Sequence, residues 1–224
     1  MLKLRWEDVW EAIRVVPISQ RSFVVSYATK PFELLVSVIL SQNTTDRNAI
    51  KSLKILKRAL GEITPENILK TNINELEKLI KPAGLYKQKT ESIIDAARNF
   101  LDLGGEEEFL KMGYEEARNF LLKIRGVGKK TTDVVLSITH KAPVFPVDTH
   151  IRRITKRLGL VDKNDYDKIS RVWLEIVPKE KYIETHKRLI AFGRLICRAK
   201  DPRCDICKLS RFCKYAKNKN KIES

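Results

Sequence analysis

The sequence predicts an all-α fold organised in two lobes, and three observations support this prediction. Apolar residues recur at three- and four-residue steps in roughly ten segments, a spacing that places them on one face of a helix. Short stretches rich in glycine and proline, such as KPAGLY and RGVG, separate these segments. The third observation is the stretch HKAPVFPVDTH at 140–150, whose two prolines mark the best internal boundary of the chain.

The helical segments begin where the chain carries residues suited to a helix start. WEDVWEAIRVV, near the beginning, has the apolar spacing of an amphipathic helix. Pro31 opens the next segment, PFELLVSVIL, and proline suits the first turn of a helix. Asn72, with Glu75 three residues later, is typical of the start of the helix that contains LEKLI. Asp148 is placed to cap the segment THIRRITKRL.

The composition favours a folded protein with a polyanionic partner. Hydrophobic residues make up 43% of the 224 residues, which excludes a disordered chain. Lysine and arginine number 44 against 28 acidic residues, and the resulting net charge of +16 favours nucleic acid as the partner. The first residues interrupt their apolar stretch with acidic ones, unlike a signal peptide, and FELLVSVIL is too short to span a bilayer. We therefore expect a cytoplasmic protein, associated with the nucleoid in a prokaryote-like cell.

The segment FLLKIRGVGKKTTDVVLSI at 120–138 predicts a helix, a tight turn and a second helix. The first helix should end near Arg125, and the second should start near Lys129. Gly126 and Gly128 permit positive φ and leave backbone N–H groups uncovered, so the turn can grip a phosphate without reading base sequence. The spacing of a nucleotide-binding Walker loop is absent. The stretch by itself is equally compatible with a plain helix cap that carries surface lysines.

The four cysteines predict one metal site. They follow the spacing C-x6-C-x2-C-x5-C within seventeen residues, at Cys197, Cys204, Cys207 and Cys213. Four thiolates suit a tetrahedral zinc ion and equally suit a 4Fe-4S cluster, and the spacing leaves this choice open. Basic residues crowd the same loop and are candidates to contact DNA phosphates, although each could be solvated surface: Arg198, Lys200, Arg203 and Lys208.

Four motifs in this order resemble the endonuclease III family of DNA glycosylases. PFELLVSVILSQNTTD at 31–46 and AGLYKQK at 83–89 resemble its N-terminal helix pair and its GLY loop. GVGKKT at 126–131 followed by VDTH at 147–150 resembles its helix–hairpin–helix and catalytic aspartate. The cysteine spacing resembles its iron–sulfur loop. The resemblance extends from about residue 30 to 213.

The resemblance implies both an architecture and an activity. A six-helix barrel lobe with the helix–hairpin–helix would cover 31–142, and 1–30 would join 143–224 in a second lobe that carries a 4Fe-4S cluster at 197–213. The protein would act as a monomer on double-stranded DNA that contains damaged bases or abasic sites, with no membrane partner. It would remove oxidised or ring-saturated pyrimidines and then nick the strand by β-elimination.

The resemblance also assigns roles to individual residues. By motif position Lys130, rather than Lys129, is the nucleophile that attacks C1′ and forms a Schiff base, and a lysine here favours combined glycosylase and AP lyase activity. Asp148 would stabilise positive charge on the sugar and move protons around the lysine, in addition to capping its helix. His150 would orient the site or serve only the fold.

The expected DNA contacts come from the hairpin and from two loops. The hairpin would hold the backbone through Gly126, Val127, Gly128, Lys129 and Thr131. Extruding a base into a pocket leaves a gap that apolar or amide side chains fill. Leu85 is a candidate wedge, with core packing as its alternative. The family commonly has glutamine where this chain has Asn43, with Gln42 one place earlier, so the identity of the amide plug stays open.

Two other functions are compatible with the same motifs. The first is a mismatch glycosylase that acts on thymine or uracil opposite guanine, or on adenine opposite oxidised guanine; the lack of an extra C-terminal recognition domain disfavours the adenine version. The second is a DNA-binding protein without activity. The presence of both Lys130 and Asp148 argues against it.

Overall fold

The protein is all-α in a computed structural model that describes residues 4–19 and 23–222. No β-strand occurs within these residues, so the predicted fold class is confirmed. The α-helices of the described residues are, in order, α1 (Trp6–Ile13), α2 (Pro31–Ser41), α3 (Asp46–Leu60), α4 (Pro65–Lys70), α5 (Ile73–Ile80), α6 (Tyr86–Asp102), α7 (Glu106–Lys111), α8 (Tyr114–Lys123), α9 (Lys129–Thr139), α10 (Thr149–Leu158), α11 (Tyr166–Ile176), α12 (Tyr182–Leu195) and α13 (Lys214–Ile222).

The helices divide between two compact units. The first, Ser19–Ala142, contains α2 to α9 and is called the hairpin unit. The second combines Met1–Ile18 with Pro143–Ser224, contains α1 and α10 to α13, and is called the cysteine unit. The chain passes from one unit to the other after Ala142, within the proline-containing stretch. None of the helices among the described residues is both long enough and apolar enough to cross a membrane.

The N-terminal boundary of the hairpin unit differs from the sequence expectation. Residues 23–30 were expected to join the first helix, but they lie in the hairpin unit, where their 3-10 turn packs against α2 and α3. Lys57 Nζ donates to the carbonyl of Tyr27 at 2.8 Å, and the N–H of Thr29 donates to Glu33 Oε2 at 2.9 Å. These hydrogen bonds join side chains to backbone groups of an irregular segment, so helical periodicity in the sequence cannot predict them.

The hairpin unit has α2 at its centre. Every residue from Phe32 to Leu40 is buried, as expected for a helix that is apolar on all sides. This helix packs against α3, α6 and α9. The ring of Phe100, on α6, lies 5.2–5.4 Å from the rings of Phe32, Phe109 and Phe120, measured between centroids. This core holds α6 and α9 against the same central helix.

The cysteine unit is built around α10, α11 and α12. Trp173 is fully buried, stacks on Phe145 at 5.8 Å between centroids, and donates its indole N–H to Thr155 Oγ1 at 2.7 Å. Pairing the indole N–H avoids the cost of an unsatisfied buried donor. Cys213 is buried in this core, and the other three cysteines pack against it. The cysteine loop is therefore part of the hydrophobic structure of the unit.

Candidate functional site

The glycine turn connects α8 to α9 as the sequence predicts. The first helix ends at Lys123, two residues before the expected end, and the second begins at Lys129. Gly126 adopts φ +75°, while Gly128 takes an extended conformation and accepts the first hydrogen bond of α9 from the N–H of Thr132 at 3.0 Å. A glycine has no side chain to cap the helix, so the N-terminus of α9 carries no cap from Gly128.

The two glycines meet different surroundings. A Cβ at Gly126 would collide with the hydroxyl of Ser92, and its positive φ is strained for any residue with a side chain. A Cβ at Gly128 would meet no atom within 4 Å. The fold therefore requires glycine at 126 but not at 128.

The remaining hairpin residues differ in exposure. Lys129 is exposed, and Lys130 is half-buried in the first turn of α9. Val127 and Thr131 are buried, and the N–H of Val127 already donates to the carbonyl of Ile124 at 3.0 Å. Val127 and Thr131 therefore shape the turn through their buried side chains, whereas the lysines are accessible to a ligand.

Side chains from elsewhere in the hairpin unit brace this turn. Gln42 Nε2 donates to the carbonyl of Gly126 at 3.0 Å and to Thr131 Oγ1 at 3.1 Å. On α6, Asp95 Oδ2 accepts the N–H of Arg125 at 2.7 Å. The turn is thus held by the end of α2 on one side and by α6 on the other.

Asn43 and Leu85 occupy two loop tips with the same unusual backbone. They have φ of +50° and +48°, both in the left-handed region, and both are exposed. Leu85, the residue before α6, exposes 49% of its surface. A bulky residue at positive φ is uncommon and is often found where a side chain must be presented for binding. Gln42, in contrast, is occupied by its hydrogen bonds to the hairpin.

Asp148 caps α10, as the sequence predicts. Its Oδ1 accepts the N–H of Ile151 at 2.8 Å, and the residue is half-buried. The second oxygen, Oδ2, makes no hydrogen bond within the part of the chain that the structure describes. One oxygen therefore fixes the direction of the carboxylate while the other is available to a ligand.

His150 is held from two sides within the cysteine unit. Arg153 Nη2 lies 3.1 Å from its Nδ1, and a Cβ at Gly193 would press on the Cβ of His150. Burial lowers the pKa of His150, the charges of Arg153 and Arg194 lower it further, and Asp148 opposes them. The net effect of these groups is to favour the neutral imidazole.

Two arginines one turn apart on α10 hold the cysteine loop. Arg153 Nε donates to the carbonyl of Cys197 at 2.9 Å. Arg157 Nη1 donates to the carbonyl of Arg198 at 2.6 Å and to Cys197 Sγ at 3.4 Å, while Cys213 Sγ donates to the Arg157 carbonyl at 3.2 Å. The helix that begins at Asp148 thus supports the loop.

The four thiols lie near one another. Burial, together with the charges of the other three cysteines, raises the pKa of Cys207 to about 11. Among the residues that the structure describes, no group of three or more His, Cys, Asp or Glu side chains is arranged to hold a single metal ion. The four cysteines thus share the edge of one hydrophobic core and affect one another electrostatically.

The basic residues of the loop do not form one uniform surface. Arg198 donates twice to the carbonyl of Asp201, at 2.7 and 3.0 Å, and therefore braces the loop. Lys208 pairs with Glu11 at 2.9 Å, and this contact lowers the pKa of Glu11. Lys200 and Arg203 are exposed. These last two are better placed to meet a phosphate than Arg198 or Lys208.

Several supporting residues did not stand out in the sequence. Lys89 is buried on α6 and occupies the position where the apolar stripe of Ile93, Ala97 and Phe100 would continue. A lysine in an apolar stripe is a signal that sequence reasoning could have used. Arg153 is four residues before Arg157, but only tertiary packing shows what their shared helix face contacts.

Comparison with known proteins places these features in a family. Residues 36–179 match the HhH-GPD superfamily base excision DNA repair protein family, and this match covers more than half of the chain. The chain is 38% identical over 205 residues to endonuclease III of Sulfolobus acidocaldarius, covering 88% of this chain and 90% of that protein. The chain belongs to the endonuclease III family of the HhH-GPD superfamily. It is a DNA glycosylase and AP lyase of base excision repair, so the predicted family and enzyme class are confirmed.

Solved structures of endonuclease III and related enzymes share the fold. A trapped covalent intermediate of endonuclease III with DNA, an estranged-adenine complex, has a TM-score of 0.80 and 31% identity over 96% of this chain and 95% of that chain. A thermostable thymine-DNA glycosylase has a TM-score of 0.77 and 25% identity over 95% of each chain. An endonuclease III and a thymine-DNA glycosylase are thus both among the similar structures.

Proposed function

We propose that this protein removes oxidised or ring-saturated pyrimidines from duplex DNA and nicks the strand through a Schiff base on Lys130. The observation that carries the proposal is a half-buried lysine in the first turn of α9, directly after the braced glycine turn. Support also comes from the similar endonuclease III that was solved as a trapped covalent intermediate with DNA.

The proposed chemistry needs one nitrogen nucleophile and no external oxidant. The Lys130 amine forms a bond to C1′ as the glycosidic bond to the damaged base breaks, and the sugar ring opens to give an imine. Loss of a C2′ proton then breaks the C3′–O bond, so the downstream strand leaves with a 5′ phosphate and the DNA strand is nicked. Lysine alone among the common nucleophiles supplies the amine that an imine requires.

Asp148 is proposed to assist this chemistry. Its Oδ1 is fixed by the α10 cap, so the carboxylate has a defined direction before DNA binds. The Oδ2 atom would stabilise positive charge that develops on the sugar and take part in proton transfers. His150, neutral and held by Arg153, is proposed to keep this end of α10 in place.

The DNA contacts are proposed to fall into two groups. The backbone of Gly126 to Lys129 and the N-terminus of α9 would hold a phosphate, because helix N-termini favour anions. Asn43 and Leu85, exposed at loop tips, would fill the gap left by an extruded base. Gln42 is proposed to brace the hairpin rather than to act as the plug, since its amide already bonds Gly126 and Thr131.

A 4Fe-4S cluster is proposed on Cys197, Cys204, Cys207 and Cys213. The donor set fits, because four thiols from one short loop lie together against a hydrophobic core. Such a cluster would be held by the four cysteine thiolates. When bound it would fix the loop that presents Lys200 and Arg203 to phosphate.

Borohydride trapping tests the proposed nucleophile. The wild type, Lys130→Ala and Lys129→Ala are incubated with a duplex that contains thymine glycol, and covalent complexes are counted on a denaturing gel. We expect the wild type and Lys129→Ala to be trapped and Lys130→Ala to give no complex, because only one amine forms the imine. Trapping that survives in Lys130→Ala and disappears in Lys129→Ala would contradict this choice of lysine.

Because the fold is also similar to that of a thymine-DNA glycosylase, we retain thymine or uracil opposite guanine as a second candidate substrate. A panel of duplexes that contain thymine glycol, 5-hydroxycytosine, or thymine or uracil opposite guanine separates the two functions. Base release and nicking are scored separately on each duplex. Faster release of the oxidised bases supports the proposal, whereas release confined to the guanine mismatches supports the mismatch glycosylase.

A further inference from the structure

Lys89 is a buried lysine in the first turn of α6. It exposes 2% of its surface, and burial lowers its pKa to about 8, so the amine still carries its proton at neutral pH. Burying a charged group is costly unless its donors are satisfied. The three N–H donors of the ammonium therefore need acceptors inside the hairpin unit.

Two of these acceptors are backbone carbonyls from distant parts of the chain. Lys89 Nζ donates to the carbonyl of Leu40 at 2.8 Å and to the carbonyl of Ala83 at 2.8 Å. The backbone N–H of Lys89 also donates to the carbonyl of Leu85 at 3.0 Å. A single residue thus binds the end of α2 and both sides of the turn before α6.

The bonded carbonyls lie just before the two exposed loop tips. Leu40 is three residues before Asn43, in the last turn of α2, where helix carbonyls lack partners within the helix. Ala83 is two residues before Leu85. Both tips have positive φ, which asparagine tolerates but which is costly for Leu85, so the turn before α6 in particular depends on the structure around it.

We propose that Lys89 is a positioning residue that couples the Asn43 and Leu85 loops, so that both tips enter the DNA together when a base is extruded. The inference rests on the proposed function, because it assigns the gap-filling role to these two tips. The ammonium sits beneath both loops and fixes the distance between their backbones. A shift of about 1 Å in such an element is enough to cost roughly a hundredfold in rate.

Termination of α2 accounts for the bond to Leu40 but not for the bond to Ala83. An apolar side chain at 89 would continue the stripe of α6 and avoid the cost of a buried charge. The lysine instead bonds Leu40, 49 residues away along the chain, as well as Ala83, 6 residues away. This pattern favours coupling of the loops over simple termination of α2.

The test compares Lys89→Met with wild type and with Ile93→Val. Methionine keeps the length but removes the donors, while Ile93→Val perturbs the same buried face of α6 one turn away from Lys89. Three readouts are taken: base release from a thymine glycol duplex, the fluorescence of 2-aminopurine opposite the lesion on binding, and borohydride trapping on a single-stranded abasic oligonucleotide. The last readout requires no base extrusion.

We expect Lys89→Met to lose about tenfold or more in base release and in the fluorescence rise, and to keep single-strand trapping within about twofold. Ile93→Val should match the wild type in all three. In a background of Asn43→Ala with Leu85→Ala, adding Lys89→Met should change base release by less than about twofold, since coupled residues are non-additive. If the methionine variant does not fold, Lys89→Gln, which keeps a shorter donor, should show the same pattern.

Three outcomes would overturn the inference. They are wild-type base release in Lys89→Met, an equal loss on duplex and single-stranded substrates, and a full further loss in the double-alanine background. A folded wild type that releases no base from any lesion overturns the proposed function, and this inference with it. If the wild type releases base and Lys89→Met does so equally well, only the proposed role of Lys89 is overturned.

Discussion

At the scale of single residues, Gly126 and Gly128 stand two positions apart in one turn but have different constraints. Gly126→Ala places a Cβ against Ser92 at φ +75°, so we expect a loss of about 2 kcal/mol in the free energy of unfolding. Gly128→Ala meets no neighbouring atom and should cost about 1 kcal/mol or less. It should still weaken duplex binding, because the new methyl group obstructs a phosphate at the helix end. Denaturant unfolding and binding of an abasic duplex measure both effects.

Comparing Gly126→Ala with Gly128→Ala distinguishes a glycine that the fold requires from one that DNA binding requires. Equal destabilisation by the two changes would show that Gly128, like Gly126, is required by the turn. Unchanged DNA binding in Gly128→Ala would contradict the proposed binding of a phosphate at this helix end. Sequence alone could not assign these roles, because both glycines belong to the same motif and Ser92 lies 34 positions from Gly126.

At the scale of the element, Asp148 serves α10 as a cap and serves the proposed chemistry as a carboxylate. Asparagine caps a helix about as well as aspartate, so Asp148→Asn should keep the stability of the wild type. Asp148→Ala should lose about 1 kcal/mol, because the N–H of Ile151 loses its acceptor. Both variants should lose base release by about a hundredfold or more, since neither has a carboxylate. Thermal unfolding and single-turnover base release give the two quantities.

The two measurements distinguish the roles of the residue. If Asp148→Asn retained full base release, the carboxylate charge would have no part in the reaction and capping alone would explain the residue. If the asparagine variant unfolded like the alanine variant, the comparison would show that charge at the N-terminus of α10 matters to stability. The cap itself could be predicted from the sequence, because capping depends on residues within one turn.

At the scale of the whole molecule, the charge of +16 suits a DNA-binding protein, and the cysteine unit is expected to depend on iron. We expect purified protein to contain about four irons per chain and to show the visible absorbance of an iron–sulfur protein. Cys213→Ser should lose the iron and lower the Tm by about 5–10 °C, because metal binding contributes to folding. Ser210→Ala, in the same loop, should retain both. Zinc in place of iron would contradict the cluster.

Local patterns in the sequence determined the helical fold class, the glycine turn, the cap at Asp148 and the grouping of four cysteines within seventeen residues. These features depend on neighbours one or two turns away, which periodicity and spacing record. The resemblance placed 23–30 with the second lobe, whereas this segment lies in the hairpin unit, where side chains of α2 and α3 hold it. The identity of the family also followed from the order of the motifs.

Only the tertiary structure decided which residues support the site. Gln42 reaches Gly126 across 84 positions, Lys89 reaches Leu40 across 49, and Arg153 reaches Cys197 across 44. Each of these contacts joins a side chain to a backbone carbonyl. Because every residue has such a carbonyl, the sequence does not show which one will accept the hydrogen bond. Helix packing brings such groups together, so their pairing is set by the fold of each unit and not by any local pattern.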